Sequence, residues 1–172
     1  MQLYRIHTKI LTPFVNETIN TLDAMTGLRA KAGQGFQEAP EDFYFRGFAV
    51  CVVAKTHGAI EGKIIMHHNT ETALEIGNRV RANLLGLEEF ASEIDEEVSE
   101  ALTEFSNTAI GLATRGMSEA NLRITFDPPL FISLEEDSEF LTEGVEEILT
   151  IPIDVENVGQ FYFSYLLHKR TE

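Results

Sequence analysis

Residues 61–86 read EGKIIMHHNTETALEIGNRVRANLLG, and they change character at one point. Up to His68 the run is mostly apolar, the composition of a buried strand. Asn69 or Thr70 then offers an N-cap for a helix reaching about Leu85, and Gly86 is placed to close it. A second apolar and β-branched run, Arg46 to Lys55, comes before. The six residues THGAIE that join the two, ending on Glu61, predict a hairpin.

The same rules extend outward. Upstream, Thr12-Pro13 is expected to open a helix, with threonine as N-cap and proline at the first helical position. Leu11, Phe14, Val15, Thr18, Leu22 and Met25 follow at helical spacing, and Gly27 ends the segment. Residues 29–42 read as a loop or irregular strand. Their Gly33-Gln34-Gly35 is no dinucleotide fingerprint, because the third glycine and the following helix are missing. Downstream, Ser92 or Asp95 starts a helix running to about Thr114, ahead of Gly116. Its expected buried stripe is Val98, Ala101, Leu102, Phe105, Ala109 and Leu112. NLRITF, a break at Pro128-Pro129, and LFISL come next. Val145–Val155 and Gln160–His168 close the chain as an antiparallel pair around ENVG. This order predicts an α+β fold, a mainly antiparallel sheet with long helices packed on it, in a single domain covering residues 1–172.

The chain of 172 residues carries a formal net charge of −15. Phosphate backbones call for clustered Lys and Arg, so nucleic acid is not an expected partner. Eight carboxylates and no base lie between Glu88 and Glu104, and seven more carboxylates between Glu135 and Glu147. Both are read as solvated faces, the sharper alternative being a surface that attracts a basic patch. The single cysteine, Cys51, excludes an internal disulfide framework and fits a reducing cytoplasm. With no bilayer-length apolar run and no secretory signal at the start, a cytoplasmic location away from membranes is expected.

Most chemistry is poorly supported. His67 and His68 are adjacent on a strand and point to opposite faces, so they cannot share a metal. Cys51 sits in an apolar strand and reads as a small buried thiol. No serine stands at a glycine elbow. The pattern Glu-x-x-Asn occurs three times on predicted helices, at Glu17/Asn20, Glu75/Asn78 and Glu104/Asn107, each time placing an acid and an amide one turn apart on a polar face. Only the third, in EALTEFSNTAIG (residues 100–111), puts a glycine on that face. Gly111 in mid-helix costs about 1 kcal/mol against alanine. Its missing Cβ serves either the approach of another molecule or close packing against a strand of the same chain.

Three stretches in this order resemble the CheX-like chemotaxis phosphatases, relatives of the CheC family. LTPFVNETINTLDAMTGL is similar to the family's opening helix, GKIIMHHNTETALEIGNRV to its second hairpin strand and following helix, and SEIDEEVSEALTEFSNTAIG to the helix bearing the Glu-x-x-Asn signature. The resemblance implies hydrolysis of the aspartyl phosphate of a CheY-type response regulator. Glu104 and Asn107 are then the catalytic positions, and Glu100, Thr108 and Gly111 meet the partner. Glu100 stands where the family commonly has Ser or Asp. The phosphorylated receiver domain brings its own Mg²⁺, and the protein needs no metal of its own. A second site at Glu17 and Asn20 is a further implication, drawn from CheC relatives. Homodimers through sheet edges are implied too; QFYFSYLLHK suits an edge strand and equally an internal one. The competing readings are a non-catalytic adaptor that docks a regulator or motor-type protein, and a structural oligomer with a self-contact around Gly111.

Overall fold

The computed structural model describes residues 2–43, 50–86, 89–133 and 141–168, with side chains from Ile10 onward. Residues 46–49 of the first expected strand, Leu134, and residues 135–140 of the second acidic segment lie outside these.

The hairpin forms as read. β3 (Val50–Gly58) and β4 (Gly62–His68) pair antiparallel over seven residues, from Val50 opposite His68 to Thr56 opposite Gly62. Without a break, Asn69 caps α2 (Thr70–Leu85), its side chain accepting from Thr72 N at 2.8 Å. Gly86 ends the helix in the left-handed region, at φ 65°. After Asp95, the N-cap of α3 (Glu96–Glu119), the chain returns to strands: β5 (Ile124–Phe126) and β6 (Leu130–Ser133) both pair with β3, split by the two prolines. β7 (Val145–Val155) and β8 (Gly159–His168) close the sheet, and β1 (Ala30–Ala32) and β2 (Phe36–Glu38) edge it along β7. The order is β1-β7-β8-β4-β3-β5, with antiparallel pairing throughout.

Three expectations need correction. α1 (Gln2–Thr26) does not open at Pro13 but runs through it. An internal proline costs about 3 kcal/mol. Burial of Ile10 and Leu11 ahead of it, with Phe14 and Val15 just after, offsets that penalty. α3 passes Gly116 and ends at Glu119, because Met117 is buried and extends the packed face. Leu112, assigned to the buried stripe, is 40 % exposed. Of the two places open to β8, the structure takes the interior: it lies between β7 and β4, and its aromatics Phe161, Phe163 and Tyr165 are buried.

All three helices pack on one face of the sheet, where Val52, Ala54, Ile64 and Met66 meet Phe14, Ile76, Leu102 and Phe105. Cys51, Val53, Ile65 and Leu166 point the other way into a second cluster. Both faces are buried, which is why β3 and β4 read as continuous apolar runs. The histidines split as expected: His68 stacks on Phe161 on the helix side, and His67 Nε2 lies 3.0 Å from Ser164 Oγ on the other. Helix α2 seats on α3 where Gly77 lacks a side chain. A Cβ there would lie 2.7 Å from Val98 Cγ1, so only glycine permits this approach.

Candidate functional site

α3 is positioned from both ends. Asp95 Oδ1 accepts from Val98 N at 2.9 Å, and Glu96 and Glu97 in the first turn suit the positive end of the helix dipole. On its buried side Val98, Leu102, Phe105, Ala109, Ala113 and Met117 enter the core, and Ser106 Oγ donates to Met66 Sδ on β4 at 3.4 Å. Successive residues turn by about 100°. Glu100, Glu104, Asn107, Thr108 and Gly111 therefore cluster on the opposite side. Glu100, Glu104 and Asn107 are exposed, and Thr108 and Gly111 half-buried.

The polar groups on this face are little engaged. Thr108 Oγ1 donates to Glu104 Oε1 across a long 3.4 Å. The Asn107 carboxamide makes no hydrogen bond with any described residue. A Cβ on Gly111 would meet only Phe126 Cζ, at an ordinary 3.9 Å. Among the described residues no backbone outside α3 comes within 4 Å of that position, so none of them needs a glycine there for close packing.

The other two Glu-x-x-Asn pairs differ. Asn78, expected on a polar face, is 4 % exposed. Its Nδ2 donates to Ala91 O at 2.9 Å, and its Oδ1 accepts from Ala91 N at 2.9 Å and Arg81 Nη1 at 3.0 Å. Arg81 goes on to Glu97 on α3. That asparagine fastens the α2–α3 connection, and its partner Glu75 pairs with Arg79 at 2.6 Å. On α1, Asn20 is exposed. Glu17 is half-buried and lines a groove of about 540 Å³ with Pro13, Leu112, Gly116, Met117 and Leu122. Leu112 is exposed because it forms a wall of this groove. Two neighbours of the α3 face carry no sequence signal: Phe126 comes from β5, and the α1 groove from the far end of the chain.

Two other reactive side chains, Cys51 and His68, are withdrawn from solvent. Burial pushes the Cys51 thiol up to about 12 and His68 down to about 3. Among the described residues, no group of three or more His, Cys, Asp or Glu could hold a metal ion, and no helix is long and apolar enough to cross a membrane.

An antiparallel sheet carrying three helices on one face is a fold shared with solved CheC-like and CheX structures. A CheC-like superfamily protein from Shewanella sp. PV-4 superposes with TM-score 0.73 at 20% identity, over 93% of this chain and 97% of the other. CheX from Borrelia burgdorferi, in a crystal structure with CheY, BeF₃ and Mg²⁺, gives 0.73 at 20%, over 93% and 98%. FliY from Thermotoga maritima gives 0.70 at 18%, over 95% and 88%. At these identities the likeness concerns the fold. Among curated proteins, none is significantly similar in sequence. The sequence profile of the family described as chemotaxis phosphatase CheX matches residues 50–154, more than half of the chain. The chain belongs to the CheX family.

Proposed function

We propose that this chain, as a single CheX-like domain, dephosphorylates a CheY-type response regulator, with Asn107 orienting the attacking water and Glu104 docking the partner. One observation carries the reading: the Asn107 carboxamide is exposed and bonds to no described residue, one turn from a half-buried Gly111 that has room for a side chain. An aspartyl phosphate has a good leaving group and needs mainly a water held in line with phosphorus. The amide oxygen accepts from that water while the amide nitrogen donates to a phosphoryl oxygen. Water's oxygen bonds to phosphorus, the bond to the aspartyl oxygen breaks, and the carboxylate and inorganic phosphate leave. The water's second proton passes to phosphate or solvent, since an amide is no base. Mg²⁺ arrives with the regulator, and the Borrelia relative solved with CheY and Mg²⁺ supports that arrangement. Glu104 pairs with the lysine beside the phosphorylated aspartate, and Glu100 and Thr108 border the contact.

The test is decay of radiolabelled phospho-receiver, run against the receiver domains encoded in the same genome. Asn107→Ala should abolish acceleration while binding persists. Glu104→Ala or Glu104→Lys should lose both binding and rate. A wild-type protein that binds but leaves decay unchanged is an adaptor, the reading that Glu100 and the net charge of −15 also accommodate. The second site on α1 is tested in the Asn107→Ala background, where Asn20→Ala should remove any residual rate. Among the described residues, the sheet edges open to a homodimer are β1 with β2 and β5 with β6. Sedimentation at low concentration checks it.

A further inference from the structure

α3 holds five carboxylates, at Glu96, Glu97, Glu100, Glu104 and Glu119, and a single base, Arg115. At 100° per residue, Arg115 falls within about 20° of Glu104 and 40° of Gly111, on the exposed line that carries the candidate site. It stands roughly 16 Å along the axis from Glu104 and 12 Å from Asn107. Its side chain is exposed, and it forms no ion pair or hydrogen bond with any described residue, Glu119 one turn on included. Helix-dipole compensation does not account for it: that effect is confined to the last turn, and the last turn of α3 has no base.

We infer that Arg115 is a second docking charge for the regulator, and that with Glu104 it sets the direction in which the partner lies along α3. The inference rests on the proposed function, whose partner it refines. A centre that holds Mg²⁺ beside an acyl phosphate is built from carboxylates, and Arg115, about 12 Å along the axis from Asn107, calls for a further acid on the partner beyond them. A partner with a lysine at the phosphate and carboxylates further out matches a ridge that is negative at Glu104 and positive at Arg115. Turned end for end, the same partner sets carboxylates against Glu104 and lysine against Arg115, a like-charge arrangement. Gly111, between the two charges, is where the surfaces come closest. Arg115 touches neither water nor phosphate in this arrangement, so it is a positioning residue.

The experiment measures binding and turnover separately. Kd is obtained by fluorescence anisotropy on the CheY-type receiver carrying BeF₃ and Mg²⁺, and kcat and KM from phospho-receiver decay. Arg115→Glu should raise Kd and KM about tenfold with kcat unchanged, and Arg115→Lys should recover most of the affinity. The variant should also show a shallower dependence of Kd on salt. Unchanged folding is checked by melting, since the residue is exposed and unpaired. If the wild type accelerates decay and Arg115→Glu matches it in Kd, or loses kcat with KM unchanged, the docking role is overturned while the phosphatase reading stands. A wild type that neither binds nor accelerates overturns both.

Discussion

His68 links burial to pH. It is fully buried against Phe161, and burial alone lowers its pKa from the ordinary 6.5 to about 3. The native chain keeps this ring neutral, whereas the unfolded chain takes up a proton below about pH 6.5. Stability is therefore complete above that value and is lost as pH falls from about 6.5 toward 3. At pH 5 the loss is about 2 kcal/mol. His57 has the opposite sign: its hydrogen bonds to Asp127 and Glu61, both 3.1 Å, raise its pKa, so its small contribution is present at low pH and fades as pH rises. Urea titrations at pH 7 and pH 5 should show a smaller drop in His68→Leu than in the wild type. Equal drops would remove His68 as the cause. That His67 and His68 face opposite ways was legible from strand alternation. That His68 is dry was not, because its neighbour Phe161 stands 93 residues away by number.

At the scale of elements, two mid-helix glycines serve opposite ends. Gly77 is set against Val98 Cγ1 at 2.7 Å for an added Cβ, whereas at Gly111 an added Cβ would make an ordinary contact with Phe126 Cζ at 3.9 Å. Gly77→Ala should destabilise by about 1–3 kcal/mol through overpacking of the α2–α3 seam. Gly111→Ala should stabilise the fold by up to about 1 kcal/mol, since alanine is the better helix former. It should also slow receiver dephosphorylation, if that face accepts a partner. Thermal melts and phospho-decay on the same two variants check the contrast; a Gly111→Ala protein as active as wild type counts against close approach there. The helix stripes at Val98, Ala101, Leu102, Phe105 and Ala109 were readable because amphipathic spacing is local. The loss of Leu112 from that stripe was not, since it depends on how α1, through Pro13 and Glu17, sits across a groove from it.

For the whole molecule, charge is the leading global quantity. With −15 and carboxylates exposed along the start of α3, like charges repel in the compact state more than in the expanded one. Raising salt from about 10 mM to about 150 mM shortens the screening length from roughly 30 Å to 8 Å. The melting temperature should rise over that range, and a scanning-calorimetry series measures it. A flat or falling series means that the acids are too far apart to act. The outer strands β1, β2, β5 and β6 are three or four residues long, and Pro128-Pro129 interrupts one edge. Short, broken edges limit open-ended strand pairing.

By itself the sequence determined what short-range physics controls. Asn69 and Gly86 bound α2 through caps; apolar runs joined by a short turn made the β3–β4 hairpin; and three-residue spacing put Glu104 and Asn107 on one helical face. The tertiary structure decided whatever depends on distant neighbours. It kept Pro13 inside a helix, buried Asn78 as a fastening for Ala91, placed β8 in the interior, and brought Phe126 beside Gly111. Capping and periodicity act within a turn or a few residues, whereas burial and strand pairing are set by chain segments that meet only when the sheet closes.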